Sequence, residues 1–240
     1  MEAEPLIIPS GPYKLAAACH LPSGEGPFPV IVTLHGLLSS KDSRKYKMLA
    51  DIASAWGLAL VRFDFRSMGE STGGAEALTL SGRLEDARSV LEFLRGFPPV
   101  DASRAGLMGS SLGGVVAWAT ALAVPGVKAA AVWATPCHLR DLLARRGQSG
   151  PPGARPLPEA FFDDLEEHEL LELPAGLSRV LIIHGEEDEL VPVRHAHRLY
   201  SLALEPKRLV ILPSGDHRVT DAVHRQMASE ATIHWLATHL

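Results

Sequence analysis

The fold of this chain is decided by Ala105-Gly106-Leu107-Met108-Gly109-Ser110-Ser111-Leu112-Gly113. Residues 105–108 read as a short buried strand and residues 112–123 as a helix, so the Gly-Ser-Ser-Leu-Gly run falls on the junction between them. Ser111, unlike Ser110, has glycine at both −2 and +2. A turn this tight tolerates only glycine on either side and lifts the serine hydroxyl clear of the sheet. The helix start then sets its free N–H groups and positive end beneath the reacting oxygen. A nucleophile elbow needs these features, and they make Ser111 the candidate nucleophile. GxSxG alone arises by chance in many chains; its place between strand and helix gives it weight.

Outward from this junction, apolar β-branched runs alternate with amphipathic stretches. Residues 30–34, 58–63, 129–134, 180–183 and 208–212 read as further buried strands. Their near-continuous hydrophobicity suits a parallel sheet covered on both faces. Residues 43–56, 80–97, 194–203 and 220–240 read as helices. In 80–97, Leu84, Ala87, Leu91 and Leu94 recur at three- and four-residue steps, with Arg83, Glu85, Asp86 and Arg88 between them. Such alternation implies a doubly wound α/β fold with a mostly parallel sheet. At the start, residues 6–9 and 13–21 flank Ser10-Gly11-Pro12 and read as an antiparallel hairpin.

Residues 138–178 interrupt the rhythm. They hold the turn-rich Gly147-Gln148-Ser149-Gly150-Pro151-Pro152-Gly153 and then a mixed acidic and apolar run, and are too long for a simple connection. Phe161, Phe162, Leu165, Leu170 and Leu171 give the segment something to bury, so it is expected to be a small lid inserted in a single domain spanning 1–240. Phe161 and Phe162 are expected to wall the substrate pocket.

Bulk composition narrows the function. The 240 residues suffice for one large core, and 46% hydrophobic with 21% charged residues is ordinary for a globular protein. The net charge of −5 comes with no basic run to track a phosphate backbone, so nucleic acid is not an expected partner. No apolar stretch is long enough to span a bilayer. Met1-Glu2-Ala3-Glu4-Pro5 is acidic where a signal peptide would be basic, which makes a cytoplasmic location the default expectation. Cys19 and Cys137 are expected to be packed thiols, although a disulfide between them stays open; neither has the neighbours of a metal site, and no metal or cofactor is expected. The oligomeric state is not legible.

A serine nucleophile needs a base and stabilisation of the oxyanion. The amide of Leu112, opening the helix, is one natural donor. That of Leu37, in His35-Gly36-Leu37 after the strand 30–34, is the other. Of eleven histidines, His217 lies just beyond the last strand, in Pro213-Ser214-Gly215-Asp216-His217. The acid falls in Glu186-Glu187-Asp188-Glu189, where four consecutive carboxylates leave the choice open on chemistry alone.

With these motifs in hand, the chain from Pro29 to Leu240 resembles the α/β-hydrolase superfamily, whose catalytic order is serine, acid, histidine. His184-Gly185-Glu186-Glu187-Asp188-Glu189-Leu190-Val191-Pro192 is similar to that family's acid turn, HGxxDxxVP, and the resemblance selects Asp188. Phe63-Asp64-Phe65-Arg66-Ser67-Met68-Gly69-Glu70-Ser71 resembles its FDxRGxGxS block, with Ser67 in place of the first glycine. Asp64, ending a strand, is read as a holder of loop hydrogen bonds. The His35-Gly36 turn followed by Lys41-Asp42, the FDFR block and a modest lid resemble small bacterial carboxylesterases of the feruloyl/cinnamoyl type. Serine aminopeptidase-like and monoacylglycerol lipase-like members share these features. The resemblance therefore implies hydrolysis of a small-molecule ester by Ser111, His217 and Asp188. Amide hydrolysis is the alternative, and a non-catalytic scaffold would be expected to lack one of the three. Dehalogenases and epoxide hydrolases of this fold carry aspartate where Ser111 stands.

Overall fold

The computed structural model describes residues 3–144, 146, 156–168 and 172–240; the run 147–153, with Leu170 and Leu171, lies outside them. The chain opens with strands β1 (Glu4–Ser10), β2 (Tyr13–His20) and β3 (Phe28–Leu34), then helix α1 (Arg44–Ala55) and β4 (Ala59–Phe63). A single 3-10 turn, Ala75–Ala77, leads to α2 (Leu80–Arg95), β5 (Val100–Ser110), α3 (Leu112–Ala123) and β6 (Val127–Trp133). After α4 (Arg140–Leu143) and α5 (Glu159–Glu167), the pattern resumes with β7 (Val180–Gly185), α6 (Arg194–Leu202), β8 (Lys207–Leu212) and α7 (Ala222–His239).

One eight-stranded sheet runs in the order β1-β2-β4-β3-β5-β6-β7-β8. The hairpin β1–β2 is antiparallel and joins β4 antiparallel; every pairing from β4 to β8 is parallel. Because strand side chains alternate faces, each central strand serves two cores. Val30, Val32, Leu107, Val132 and Ile182 point to the face covered by α2, α3 and α6. Ile31, Met108, Ala131, Trp133 and Ile183 point to the face covered by α1 and α7. Burial on both sides is why these strands read as unbroken apolar runs.

Element edges moved where backbone pairing, and not hydrophobicity, sets them. β5 begins at Val100, since Val100 and Asp101 pair with Phe28 and Pro29 ahead of a register shift. The polar stretch Asp101 to Arg104 gave no apolar signal there. β6 stops at Trp133 because Ala134 takes a positive φ of 49°.

On α2 the expected apolar stripe is buried, but two residues assigned between its ridges are buried too: Arg83 is 1% and Asp86 0% exposed. Both have work across the core. Asp86 accepts from Ser10 Oγ at 2.8 Å, Arg66 N at 2.8 Å and Arg66 Nε at 2.9 Å, which moors β1 and the loop after β4 to the helix. Arg83 donates to the carbonyl of His35 at 3.1 Å and lies over the Phe65 ring.

The excursion between β6 and β7 is tied to α2. Thr79 caps that helix through Gly82 N, and Asp164 of α5 accepts from the next free donors, Leu80 N at 2.8 Å and Ser81 N at 3.1 Å. Phe161, Phe162 and Leu165 enter the core on one face of α5. At its base, Leu173 N donates to Cys137 O at 2.9 Å, and His138 forms a β-bridge with Glu172. Cys19 and Cys137 are both free and buried.

Removing one partner of a buried ion pair strands the other charge, at about 3–5 kcal/mol. Asp86→Ala should therefore lower the urea-unfolding free energy by about that amount, whereas Glu85→Ala, on the exposed side, should stay within about 0.5 kcal/mol. Equal small losses at both positions would contradict the mooring role.

Candidate active site

Four loops at the C-terminal ends of β3, β5, β7 and β8 converge, as expected for a site in an open parallel sheet. Ser111 sits between β5 and α3 with φ 56° and ψ −125°, a region costly for any residue but glycine. The turn is held by Ser111 N donating to Trp133 O at 2.8 Å and by Gly114 N donating to Ser111 O at 2.8 Å. Its glycines are steric necessities: a Cβ at Gly113 would stand 2.0 Å from Leu34 O, and one at Gly109 would stand 2.2 Å from Gly113 O.

The structure brings Ser111, His217 and Asp188 into one hydrogen-bonded line. His217 Nε2 is 3.1 Å from Ser111 Oγ, and His217 Nδ1 is 2.9 and 2.8 Å from the two Asp188 oxygens. With Nδ1–H donated to the carboxylate, Nε2 is left as the acceptor for the serine proton. Asp188 also accepts from Leu190 N at 2.9 Å and Val191 N at 2.7 Å. Burial alone would raise the Asp188 carboxyl, but hydrogen bonds from His184, His217 and the Val191 amide hold it well below the usual carboxylate range.

The neighbouring acids have separate tasks. Glu189 accepts from His217 N at 3.1 Å and Glu186 from Ser214 N at 3.2 Å, so both pin the histidine loop from outside. Asp216 turns away to Thr220, accepting from its N at 2.8 Å and Oγ1 at 2.7 Å. Two residues escaped the sequence reading. His184 Nε2 reaches Val191 O at 2.7 Å and lies 3.3 Å from Asp188 Oδ2, bracing the acid from behind. Lys45 Nζ donates to Ser110 Oγ at 2.9 Å, and burial pushes that ammonium down to about 8. Ser110 is thus engaged behind the turn. His184 had a signal in the acid-turn motif; Lys45, on a helix 65 residues away, had none.

The Leu37 amide belongs to a loop pressed against the elbow, where a Cβ on Gly36 would lie 3.3 Å from Ser111 Cβ. Leu112 is the first residue of α3, whose amide has no partner within its own helix. His35 anchors the loop: its Nδ1–H donates to Gly36 O at 2.8 Å, and its Nε2 accepts from Phe65 N at 3.1 Å. Asp64 holds loops as expected, accepting from Lys41 N at 2.7 Å, Lys41 Nζ at 3.2 Å and Glu70 N at 3.1 Å. Ser67 adopts φ 66° where a glycine would do so freely, and it bonds Gly74 O at 2.5 Å through its hydroxyl. Phe161 and Phe162 are 0% and 3% exposed and pack edge to face at 5.6 Å in the core.

The sheet order, the elbow and the sequence of loops are those of the α/β-hydrolase fold. Residues 10–154 match the X-Pro dipeptidyl-peptidase (S15) family, and the chain belongs to that family. It is 31% identical over 161 residues to the uncharacterized protein YfhR of Escherichia coli O157:H7, covering 65% of this chain and 51% of that protein. The chain thus spans about half the length of that relative. It is 28% identical over 218 residues to the mouse mitochondrial palmitoyl-protein thioesterase ABHD10, covering 82% of this chain and 71% of that one. Among solved structures, Est1E of Butyrivibrio proteoclasticus with bound ferulic acid shares the fold, with TM-score 0.84, 20% identity and 98% of each chain covered.

Buried histidine makes the stability of this site depend on pH. Burial, and then the Arg83 charge, pushes His35 from 6.5 to about 3. The native ring stays neutral while the unfolded ring takes up a proton, so between those values the unfolded chain binds more protons. Stability from His35 is complete above 6.5 and is lost as pH falls toward 3. Asp188, held low, adds a loss of the same sign in stronger acid. Urea-unfolding midpoints should therefore fall steadily from pH 6.5 toward 3, with a shallower slope in His35→Asn. Midpoints unchanged over that range would contradict a neutral buried ring.

Proposed function

We propose that this chain is a serine hydrolase that cleaves carboxylic esters, of small to medium acyl or aromatic type, through an acyl-enzyme. The observation that carries the reading is the unbroken hydrogen-bonded line from Ser111 through His217 to Asp188, on a backbone strained at the serine. In this reading Ser111 Oγ attacks the ester carbonyl while His217 Nε2 takes its proton and Asp188 fixes the ring's tautomer. The Leu37 and Leu112 amides receive the oxyanion. His217 then protonates the departing alcohol, and a water repeats the cycle to free the acid. The bound ferulic acid of the similar Est1E structure supports an ester substrate.

A second reading, hydrolysis of an amide or peptide, draws on the S15 family match. The thioesterase name of ABHD10 supports a thioester, whose thiolate leaves more readily than an amine. All three use the same residues, so relative rates on p-nitrophenyl esters, methyl ferulate, an acyl thioester and aminoacyl anilides decide among them. The ester reading expects kcat/KM to be highest on the oxygen esters; anilide hydrolysis at equal or greater efficiency would replace it with the peptidase reading.

On the preferred substrate, Ser111→Ala should lower kcat by several orders of magnitude, while Ser110→Ala retains most of it. Asp188→Asn should cost up to about 10⁴ through the wrong tautomer. An organophosphonate adduct found on Ser110 would overturn the nucleophile assignment.

The pocket-wall role of Phe161 and Phe162 is part of this proposal. Phe162→Leu keeps an apolar side chain in the core, so it should raise KM for aromatic esters by about fivefold, from roughly 1 kcal/mol of lost ring contact, and leave acetate esters nearly unchanged. A flat profile across both would assign the rings to packing alone.

A further inference from the structure

Cys137 and His138 follow β6 at the base of the excursion, and His195 opens α6. The fold brings them together from 58 residues apart, which is why the spacing around Cys137 carries no metal pattern. One potential ligand atom of each lies within 4.8 Å of the other two. Cys137 Sγ is 3.3 Å from His195 Nδ1, and the two imidazole centroids are 4.6 Å apart. Cys137 is 8% and His195 2% exposed.

Two nitrogens of this cluster, His138 Nδ1 and His195 Nε2, are buried with no hydrogen-bond partner. Leaving a buried polar group unpaired costs about 1–3 kcal/mol, so two in contacting rings point to a missing ligand. The exposed Asp141 carboxylate stands 3.9 Å from His195 Nε2, placed to accept from that nitrogen when Nδ1 holds a ligand.

We propose that Cys137, His138 and His195, the last through Nδ1, bind a divalent cation of the zinc class. A thiolate and two imidazoles select zinc, cobalt or a similar borderline cation over magnesium or calcium. With Zn–S about 2.3 Å and Zn–N about 2.0–2.1 Å, tetrahedral ligand atoms lie roughly 3.3–3.7 Å apart. The Cys137–His195 separation already has that length, and a small closing of His138 completes the set. His195 Nδ1 also accepts from Cys137 N at 3.2 Å, a bond exchanged for the metal. The Cys137 thiol binds as thiolate, its proton leaving to solvent as the cation binds.

The cation would be a staple. Cys137 O and His138 hold Leu173 and Glu172, the far end of the excursion, while His195 lies just beyond the acid loop. None of Ser111, Asp188 or His217 is a ligand.

The test titrates chelator-treated protein with Co²⁺ and then Zn²⁺. One equivalent of Co²⁺ should produce thiolate-to-cobalt charge-transfer absorption in the near ultraviolet, abolished by Zn²⁺. Excess Zn²⁺ should raise Tm by several degrees, and Mg²⁺ should not. Cys137→Ser should remove the band, and His138→Gln, at a half-buried position, should weaken Co²⁺ binding by at least about tenfold. Absence of both the band and the Zn²⁺-dependent shift in wild type overturns the site. So does unchanged Co²⁺ affinity in a folded His138→Gln, which would assign binding to other histidines.

Discussion

The structure depends on a place where two backbones touch. Gly113 lies so close to the end of β3, and Gly109 so close to Gly113, that no side-chain carbon fits at either. That contact fixes α3 over β5 and forces the residue between them into a left-handed conformation. Ser111 holds this strain, of order 1–3 kcal/mol, because the Trp133 carbonyl and the first turn of α3 determine its backbone. The same closeness brings the loop after β3 alongside the serine. Ser111 and the Leu37 and Leu112 amides, the candidate nucleophile and oxyanion donors, are therefore set by one packing event.

Around that contact, loops are moored by buried charge and not by apolar burial. Asp86 binds Arg66 and Ser10, and Asp64 binds Lys41 and the Glu70 amide. Loops cannot bury enough apolar surface to fix themselves. A carboxylate accepting several donors holds them instead, and in a low dielectric its geometry is enforced by the cost of breaking it. The acid and base loops meet in the way the elbow does. Gly185 and Gly215 approach with no room for a Cβ, since one on Gly185 would lie 2.2 Å from Gly215 O. Glu186 and Glu189 then clip the histidine loop from the acid side.

The excursion is integrated by the same means. Asp164 supplies donors' partners at the start of α2, and Phe161 with Leu165 enters the main core.

The sequence by itself determined the period of the sheet, the two-faced burial of its strands and the elbow at Ser111, because these are local: alternation, helix pitch and a glycine-bounded turn. It also carried the acid turn and the histidine loop, though the choice of Asp188 among its neighbours came from resemblance. Tertiary structure decided the rest. It alone set Arg83 and Asp86 inside the core, against a helical pattern that places them between ridges, since a buried charge is tolerable only when distant partners arrive. It also extended β5 to Val100 through backbone pairing invisible to hydrophobicity. Lys45 behind Ser110, His184 behind Asp188 and the Cys137–His138–His195 cluster belong to the same class. Lys45 meets Ser110 and Cys137 meets His195 only because the sheet order places their elements side by side, whereas His184 reaches Asp188 within one turn whose motif carried the signal but not the role.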